Sequence, residues 1–284
     1  DDVAHGMLAI ALGRLGQGRV REAIPAFDTI ATLTGELEAR LQAAEWRVLP
    51  PAVGLEGFSP TAADSGVAEL HGVWRAPVAV TSQRRRAAFG IAAYELRAGT
   101  ETGTSSWKDS LAKIDESLEM RPAWDAIALL ETLEFRGRDE VDQALQRTEA
   151  LVRYDSLALE RYPFSRAVSY WLRAGLQAAA GDTADALRTL YWHENTDLEE
   201  GTAPGIAQAA EIDAAFGVHA RIRSIELASG LATDAGGAGL PICDLVRSRG
   251  REVMRLWQNP DPVLQPLIAR VARHLESNQR RCPR

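Results

Sequence analysis

The sequence predicts an all-α fold, an α-solenoid of antiparallel helical hairpins with one long irregular insertion. The first observation is that apolar residues recur at helical spacing in segment after segment, beginning with residues 3–15. The second is that small residues occupy matching positions in two of these segments, as expected where paired helices approach closely. With 284 residues, 46% of them hydrophobic, the chain can bury a sizeable core, either as one elongated body or as two compact domains.

The first hairpin is predicted from residues 3–15 and 20–33, which are joined by the turn "GQG". Ala23 takes the position where the two helices approach closely, and Phe27, one helical turn later, fills the space between them. Gly35 is expected to end the second helix.

The segment "SYWLRAGLQAAAGDTADALRTLYW", residues 169–192, predicts a second hairpin of the same kind. Gly181 and Asp182 form its turn, and Leu190 takes the place that Phe27 has in the first hairpin. Aligned, the two hairpins match three pairs of small residues: Ala11 with Ala174, Gly18 with Gly181, and Ala23 with Ala186.

This pattern resembles the tetratricopeptide repeat, whose helix pair has a small residue in its first helix, a Gly before its second, an Ala early in the second and an aromatic residue four positions later. The resemblance covers about half of the chain. Met7 and Arg14 differ from the Trp and Tyr that the family prefers. The resemblance implies a stack of helix pairs with a concave groove, which such proteins use to bind other proteins.

The other helical segments are predicted from the same spacing. A long helix follows residue 205, and two final helices flank a corner bounded by Pro262 and Pro266. Two further hairpins are predicted: residues 88–98 with 106–120 across the long turn "GTETGTSS", and residues 124–135 with 140–152.

Residues 50–86 interrupt this pattern, because Pro, Gly and Ser punctuate the segment. A loop of this length in a repeat protein is usually functional or disordered. Phe58 and Trp74 favour an ordered excursion that contains a short helix near residues 63–70. The predicted organisation is an N-terminal helical hairpin with the helix that follows it (1–49), the irregular insertion (50–86), and a helical-repeat region with Pro-bounded C-terminal helices (87–284).

The charge balance disfavours nucleic acid and anionic membrane surfaces as partners. The chain has 39 acidic and 32 basic residues and a formal net charge of −7, so its long-range electrostatics repel polyanions. Of the basic residues only Lys108 and Lys113 are lysines, so the others are arginines, planar bidentate donors for carboxylate-bearing partners. No apolar run is long enough to span a bilayer directly.

The motifs of catalytic, cofactor and metal sites are incomplete in this sequence. "HENTD" at His193 begins like a zinc-binding helix, but Asp197 stands where the second His ligand must lie. His193 is instead predicted to end a helix beside Trp192. "GGAG", in a flexible turn predicted for residues 233–241, lacks the spacing and the following Lys or Ser of a phosphate-binding loop. We therefore predict no catalytic residue, no cofactor and no metal ligand.

Candidate partner-binding residues lie in and beside the insertion. Trp74 and its neighbour Arg75 are the first candidates, because Trp and Arg are enriched at interaction hot spots. Burial of Trp74 beneath its own loop is the alternative. The arginine run at 84–86 is interpreted as a solvated face or a partner contact. The predicted partner-binding residues are Phe58, Trp74, Arg75, Arg84, Arg85 and Arg86.

Cys243 and Cys282, the two cysteines of the chain, are compatible with one disulfide that ties the C-terminal tail to the preceding helix. Two unrelated thiols in a reducing compartment are the alternative. With the start at Asp1, the pair favours the extracytoplasmic (periplasmic) side of the bacterial envelope over the cytoplasm.

These observations predict a non-enzymatic scaffold or accessory subunit that binds other proteins, for example within a bacterial respiratory or photosynthetic membrane assembly. One alternative is a ligand-sensing regulatory domain of a signalling kinase or transcription regulator, which an arginine-rich cleft for a small anion would favour. Residues 192–213 and the C-terminal tail are similar to helical-repeat regions attached to bacterial signalling kinases. A second alternative, an enzyme on a helical scaffold, needs a deep polar pocket with convergent Asp, Glu or His.

Overall fold

The fold is all-helical throughout the residues that the computed structural model describes, namely 2–99, 101–116, 126–137, 139–152, 163–193, 216–231 and 242–282. Thirteen α-helices and a short 3₁₀ helix are the regular elements of these ranges, which contain no strand, so the predicted all-α class is confirmed. None of the described helices combines the length and the apolar character needed to cross a membrane. The α-helices are α1 Asp2–Gly16, α2 Val20–Thr34, α3 Leu37–Ala52, α4 Pro60–Arg75, α5 Thr81–Arg97, α6 Glu101–Glu116, α7 Ala126–Gly137, α8 Val141–Val152, α9 Pro163–Ala179, α10 Thr183–Tyr191, α11 Val218–Leu231, α12 Ile242–Leu256 and α13 Gln265–Arg281.

Each described helix packs against the next one, and several also contact the one after that. α3 contacts both α4 and α5, α5 contacts α6 and α7, and α7 contacts α8 and α9. One apolar core runs through the array, from Ala11 in α1 to Val271 in α13. A smaller apolar cluster lies between α3, α4 and α5. The helices therefore share a continuous core rather than forming separate bodies.

The two predicted hairpins are present as α1–α2 and α9–α10, with their aligned glycines in the turns and their aligned alanines buried. Gly18 and Gly181 adopt φ angles of 71° and 86° in the two turns, a left-handed region that glycine enters without steric cost. The four aligned alanines are fully buried: Ala11, Ala23, Ala174 and Ala186.

The segment 50–86, predicted to be an irregular insertion, is mostly helical, so that prediction is wrong. α3 continues to Ala52, α4 occupies Pro60–Arg75, and α5 already begins at Thr81. The short helix expected near residues 63–70 is the centre of α4. Two short loops are all that remains irregular in this segment.

The Pro and Gly residues of this segment occupy positions that a helix accepts. Ser59 caps α4 by accepting a hydrogen bond from the N–H of Ala62, and Pro60 stands in the first turn, where a missing N–H costs nothing. Gly66 lies where α4 crosses α3 closely, since a Cβ there would stand 2.7 Å from Cγ2 of Val48. Gly66 is therefore required by packing and does not break the helix.

The prediction of a long turn between α5 and α6 is also wrong. Gly99, at a φ of 73°, follows the end of α5, and α6 already begins at Glu101. Gly103 lies inside α6, where a single glycine costs about 1 kcal/mol and does not prevent a helix. Some predictions fall outside the described residues: the helix ends near Met120 and Trp124, the start of the helix after residue 205, and the turn at 233–241.

The C-terminal helices fold back on the first hairpin. The backbone N–H of Asp261 donates to the carbonyl of Gly18 at 2.8 Å, and Nε1 of Trp257 donates to the carbonyl of Gly16 at 3.1 Å. A Cβ at Gly18 would lie 2.9 Å from Cβ of Pro260. In an open solenoid each repeat contacts only its neighbours, so this array departs from an open stack by joining its first turn to its last corner.

A disulfide joins the last two helices. Cys243, in the first turn of α12, is bonded to Cys282, which follows α13, with the two Cα atoms 6.2 Å apart. The side-chain amide of Asn278 donates to the carbonyl of Cys243 at 3.0 Å. Of the two alternatives that the sequence leaves open for the cysteines, the structure thus contains the disulfide.

Candidate functional site

The loop between α4 and α5 exposes two large apolar side chains beside an arginine. Val78 is 78% exposed and Val80 is 57% exposed, and Arg75, at the end of α4, is also exposed. We call Arg75, Val78 and Val80 the α4–α5 surface. It lies next to Trp74, one of the residues predicted to bind a partner.

Side-chain hydrogen bonds anchor this loop. Nη2 of Arg84 donates to the carbonyl of Ala76 at 3.2 Å, and the N–H of Val80 donates to Oε1 of Gln83 at 3.2 Å. Ala79 is buried between its two exposed neighbours. The exposed valines are therefore presented on an anchored backbone.

Trp74 and Phe58 are half-buried rather than free on the surface. Trp74 meets Trp107 edge to face, with ring centroids 5.4 Å apart, and it contacts both apolar clusters. Phe58 packs against the larger cluster. Both side chains thus stabilise the fold, and each leaves only part of its surface to a partner.

The arginine run at 84–86 divides into separate structural roles. Arg85 is buried, with 4% of its surface exposed. Arg86 forms an ion pair with the fully buried Glu45, in which Nε lies 2.9 Å from Oε1 and Nη2 lies 2.5 Å from Oε2, and it also pairs with Glu38. The interpretation of this run as a solvated face is therefore wrong for Arg85, which is buried, and for Arg86, which α3 binds through two carboxylates.

Three arginines from different helices are grouped around the C-terminal end of α3, and we call Arg97, Arg136 and Arg223 the arginine cluster. Arg97, the last residue of α5, donates to the carbonyl of Pro51. Nη1 of Arg136, in α7, donates to the carbonyl of Val53 at 3.3 Å. Carbonyls at a helix C-terminus carry partial negative charge, so they attract cations.

Trp171 of α9 connects Arg223 to the same helix end. Its Nε1 donates to the carbonyl of Val53 at 3.1 Å, and Cζ of Arg223 lies 5.5 Å from the centroid of the Trp171 ring. Gly175, one turn further along α9, lies beside the guanidinium, because a Cβ there would be in ordinary contact with Nη2 of Arg223 at 3.5 Å. The cluster is thus built from α5, α7 and α11 around a carbonyl and an indole.

The three guanidiniums repel one another. Burial lowers the pKa of Arg136 from its usual value, and the positive charges of Arg97 and Arg223 lower it further. Burial also lowers the pKa of Arg223, and the carboxylate of Glu226 opposes this shift. An arginine stays protonated through such shifts, so the cluster keeps its positive charge.

His193 lies in an aromatic cluster directly after α10, beside Trp192 as the sequence predicts. Its ring stacks on Phe216 with centroids 5.6 Å apart and meets Trp171 edge-on at 6.5 Å. Within the described ranges neither ring nitrogen has a hydrogen-bond partner. Burial, and to a lesser degree the charge of Arg221, lower the pKa of His193 to about 3, so the imidazole is neutral near pH 7.

The described residues contain no group of three or more His, Cys, Asp or Glu side chains placed to hold a metal ion. A polar cavity of about 630 Å³ lies between the α1–α2 turn and the end of α12. Its acidic residue, Glu22, is held in an ion pair by Arg19. The residues that line this cavity are Gln17, Arg19, Glu22, Arg255, Leu256, Gln258 and Asn259.

Sequence reasoning missed the arginine cluster as a set. Arg97, Arg136 and Arg223 come from three separate segments and have no common local motif. The one signal was the high arginine content, which does not say which arginines meet. No protein-family model matches the sequence, and neither a curated protein nor a solved structure matches it significantly.

Proposed function

We propose that this chain is a non-enzymatic binding protein that docks another protein through the α4–α5 surface. It acts as a scaffold or accessory subunit of a larger bacterial assembly, such as a membrane-bound respiratory or photosynthetic complex. In this proposal its helix pairs are tetratricopeptide-like hairpins, closed on themselves by the C-terminal helices. Helical repeats usually bind proteins through a concave groove, and binding residues are also common on loops that a rigid scaffold positions.

The observation that supports this proposal is the exposure of Val78 and Val80 beside Arg75 on an anchored loop. Apolar side chains on a fixed backbone lose little conformational entropy when a partner covers them. Arginine is enriched at protein interfaces because its planar guanidinium binds carboxylates in a bidentate manner. The partner is therefore expected to offer an apolar pocket with an Asp or Glu beside it.

Affinity isolation from the native host with paired variants tests this function. The Val78→Asp/Val80→Asp variant places two charges in the proposed interface, and we expect it to lose a protein that co-purifies with the wild type. The matched control is Val3→Asp/Val263→Asp, which changes two valines that are 69% and 50% exposed elsewhere on the molecule. Circular dichroism checks that both variants remain helical.

The pattern of recovery decides the outcome. Loss of the same protein from the Val78→Asp/Val80→Asp sample alone supports the proposal. Equal recovery from both variants contradicts it, since the α4–α5 surface would then be irrelevant to binding. The proposal is also contradicted if the wild-type chain co-purifies with no other protein from either the membrane or the soluble fraction.

A further inference from the structure

We propose that the arginine cluster, Arg97, Arg136 and Arg223, binds a small anion that carries at least two negative charges. The ligand class is defined by its chemistry, a phosphate group or a dicarboxylate. This inference goes beyond the proposed function, because the cluster and the α4–α5 surface consist of different residues. Either site can fail its test without affecting the other.

The first argument is the convergence of guanidiniums on one point of the fold. Arg97 and Arg136 donate to the carbonyls of Pro51 and Val53, which are two residues apart at the end of α3. Arg223 reaches the same place over the ring of Trp171. Each guanidinium has five N–H donors, so donors remain free after these contacts.

The second argument is the balance of charge. Across the described parts of the chain, no carboxylate forms an ion pair with any of the three arginines, and the nearby Glu226 binds Arg270 at 3.0 Å. The partial charge at a helix C-terminus is about half of one negative charge. The described residues around the cluster therefore supply much less negative charge than the three positive charges of its guanidiniums.

Two arginines elsewhere in the same fold are neutralised by carboxylates. Arg40 pairs with Glu69 at 2.5 Å, and Arg221 pairs with Glu252 at 3.1 Å. A charge left without a counterion in a half-buried place is costly. An external dianion supplies the missing charge, and bidentate hydrogen bonds from planar guanidiniums are the usual way to hold a phosphate or carboxylate.

The site remains open enough to admit such a ligand. The side chain of Arg97 is exposed, while those of Arg136 and Arg223 are half-buried. A partly buried site strengthens the attraction between a guanidinium and an anion because solvent screens it less than at a free surface. A small anion is favoured over an extended polyanion by the net charge of −7, which repels a long chain of negative charges.

Calorimetric titration and thermal unfolding at constant ionic strength test the proposal, with inorganic phosphate, succinate and chloride as probes. We expect phosphate or succinate to bind and to raise the melting temperature, while chloride does neither. A stronger response to phosphate assigns phosphate-bearing ligands, and a stronger response to succinate assigns dicarboxylates. The same melting temperature in all three salts overturns the proposal.

Arg223→Gln is the decisive variant, because Arg223 makes no hydrogen bond within the described residues and its loss leaves none broken. We expect Arg223→Gln to weaken anion binding by at least about tenfold, since a hydrogen bond to a charged group is lost. Without an anion this variant should be as stable as the wild type or more stable, because repulsion in the cluster is relieved. A purely structural arginine would instead destabilise the protein when removed.

Arg147→Gln is the matched control, because Arg147 is half-exposed and already has a carboxylate partner, Glu131. It should bind the anion as the wild type does. If Arg147→Gln and Arg223→Gln weaken binding equally, the anion is held by general surface charge and the proposed site is refuted. If Arg223→Gln binds as tightly as the wild type, the cluster is likewise refuted.

Discussion

The carboxylate of Asp261 accepts a hydrogen bond from the backbone N–H of Arg21 at 2.8 Å, across 240 residues of sequence. Arg21 lies in the first turn of α2, whose own N-cap residue, Arg19, makes no side-chain cap. The C-terminal corner thus caps the second helix of the chain. An acidic group at that position also interacts favourably with the helix dipole.

Replacement of this distant cap is expected to weaken the whole fold. Asp261→Ala should lower the free energy of unfolding by about 1 to 2 kcal/mol, because it leaves a helix N-terminus without its acceptor. Asp261→Asn keeps an acceptor oxygen and should lose less. Urea denaturation measures the free energy of unfolding of both variants. An Asp261→Ala variant as stable as the wild type would show that this contact does not stabilise the fold.

Replacement of one partner of the Glu45–Arg86 ion pair is expected to lower the free energy of unfolding more than replacement of both partners. Arg86→Met leaves the carboxylate of Glu45 buried without its cation, which should destabilise the protein by about 3 to 5 kcal/mol. The Glu45→Met/Arg86→Met double variant should recover most of that loss, because the buried charge is gone. The control is Arg40→Met, whose exposed pair with Glu69 should contribute less than about 1 kcal/mol.

Equilibrium unfolding in urea gives these three values. A double variant that is no more stable than Arg86→Met would contradict the explanation, because the penalty would then come from lost packing. An Arg40→Met variant as unstable as Arg86→Met would also contradict it.

His193 is expected to make the protein sensitive to acid. Its pKa of about 3 in the folded state lies below the ordinary value of 6.5, so below about pH 6.5 the unfolded chain binds a proton that the folded chain does not. Stability is therefore lost as the pH falls from about 6.5 towards 3. Between about pH 7 and pH 4.5 this group alone should remove about 2 to 3 kcal/mol.

His193→Phe tests this because a phenyl ring can take the stacked position against Phe216. The stability difference between the wild type and this variant should shift in favour of the variant as the pH falls. The difference cancels the titration of the carboxylates that both proteins share. A difference that is the same at about pH 7 and about pH 4.5 would show that His193 is not held neutral by burial.

Loss of the Cys243–Cys282 disulfide is expected to destabilise the C-terminal helices. The bond closes a loop with a sequence separation of 39 residues, for which chain entropy gives about 4 kcal/mol as an upper value. Cys243→Ser/Cys282→Ser should therefore unfold at lower urea concentration than the oxidised wild type, and a reducing agent should shift only the wild type. Mass analysis of non-reduced protein from the native host that finds two free thiols would contradict the bond.

Local patterns predicted most of the helices. The aligned pairs Ala11 with Ala174 and Ala23 with Ala186 marked buried positions in two helical hairpins. Most of the helical structure within residues 50–86 was not predicted, because Pro and Gly, as at Pro60 and Gly66, are residue types typical of loops. Only the neighbouring helix shows that Gly66 is there to let Val48 approach.

Long-range features could not be predicted from the sequence. The cap that Asp261 provides for α2 depends on the curvature of the whole array, which no local spacing encodes. The arginine cluster likewise depends on tertiary packing, because it brings together the C-terminal ends of α5 and α7 and the interior of α11. Arg86 looked like any member of a basic run in the sequence, and only the position of Glu45 in α3 shows that it forms a buried ion pair rather than a solvated charge.

Photo-crosslinking in the native host tests most directly whether the α4–α5 surface binds a protein. A photo-reactive p-benzoylphenylalanine replaces Val78 in one sample and the exposed Val3 in the control. We expect irradiation to yield one discrete adduct from position 78, with the same partner that affinity isolation recovers, and none from position 3. No adduct at position 78, or the same adducts from both positions, would contradict the proposed binding function.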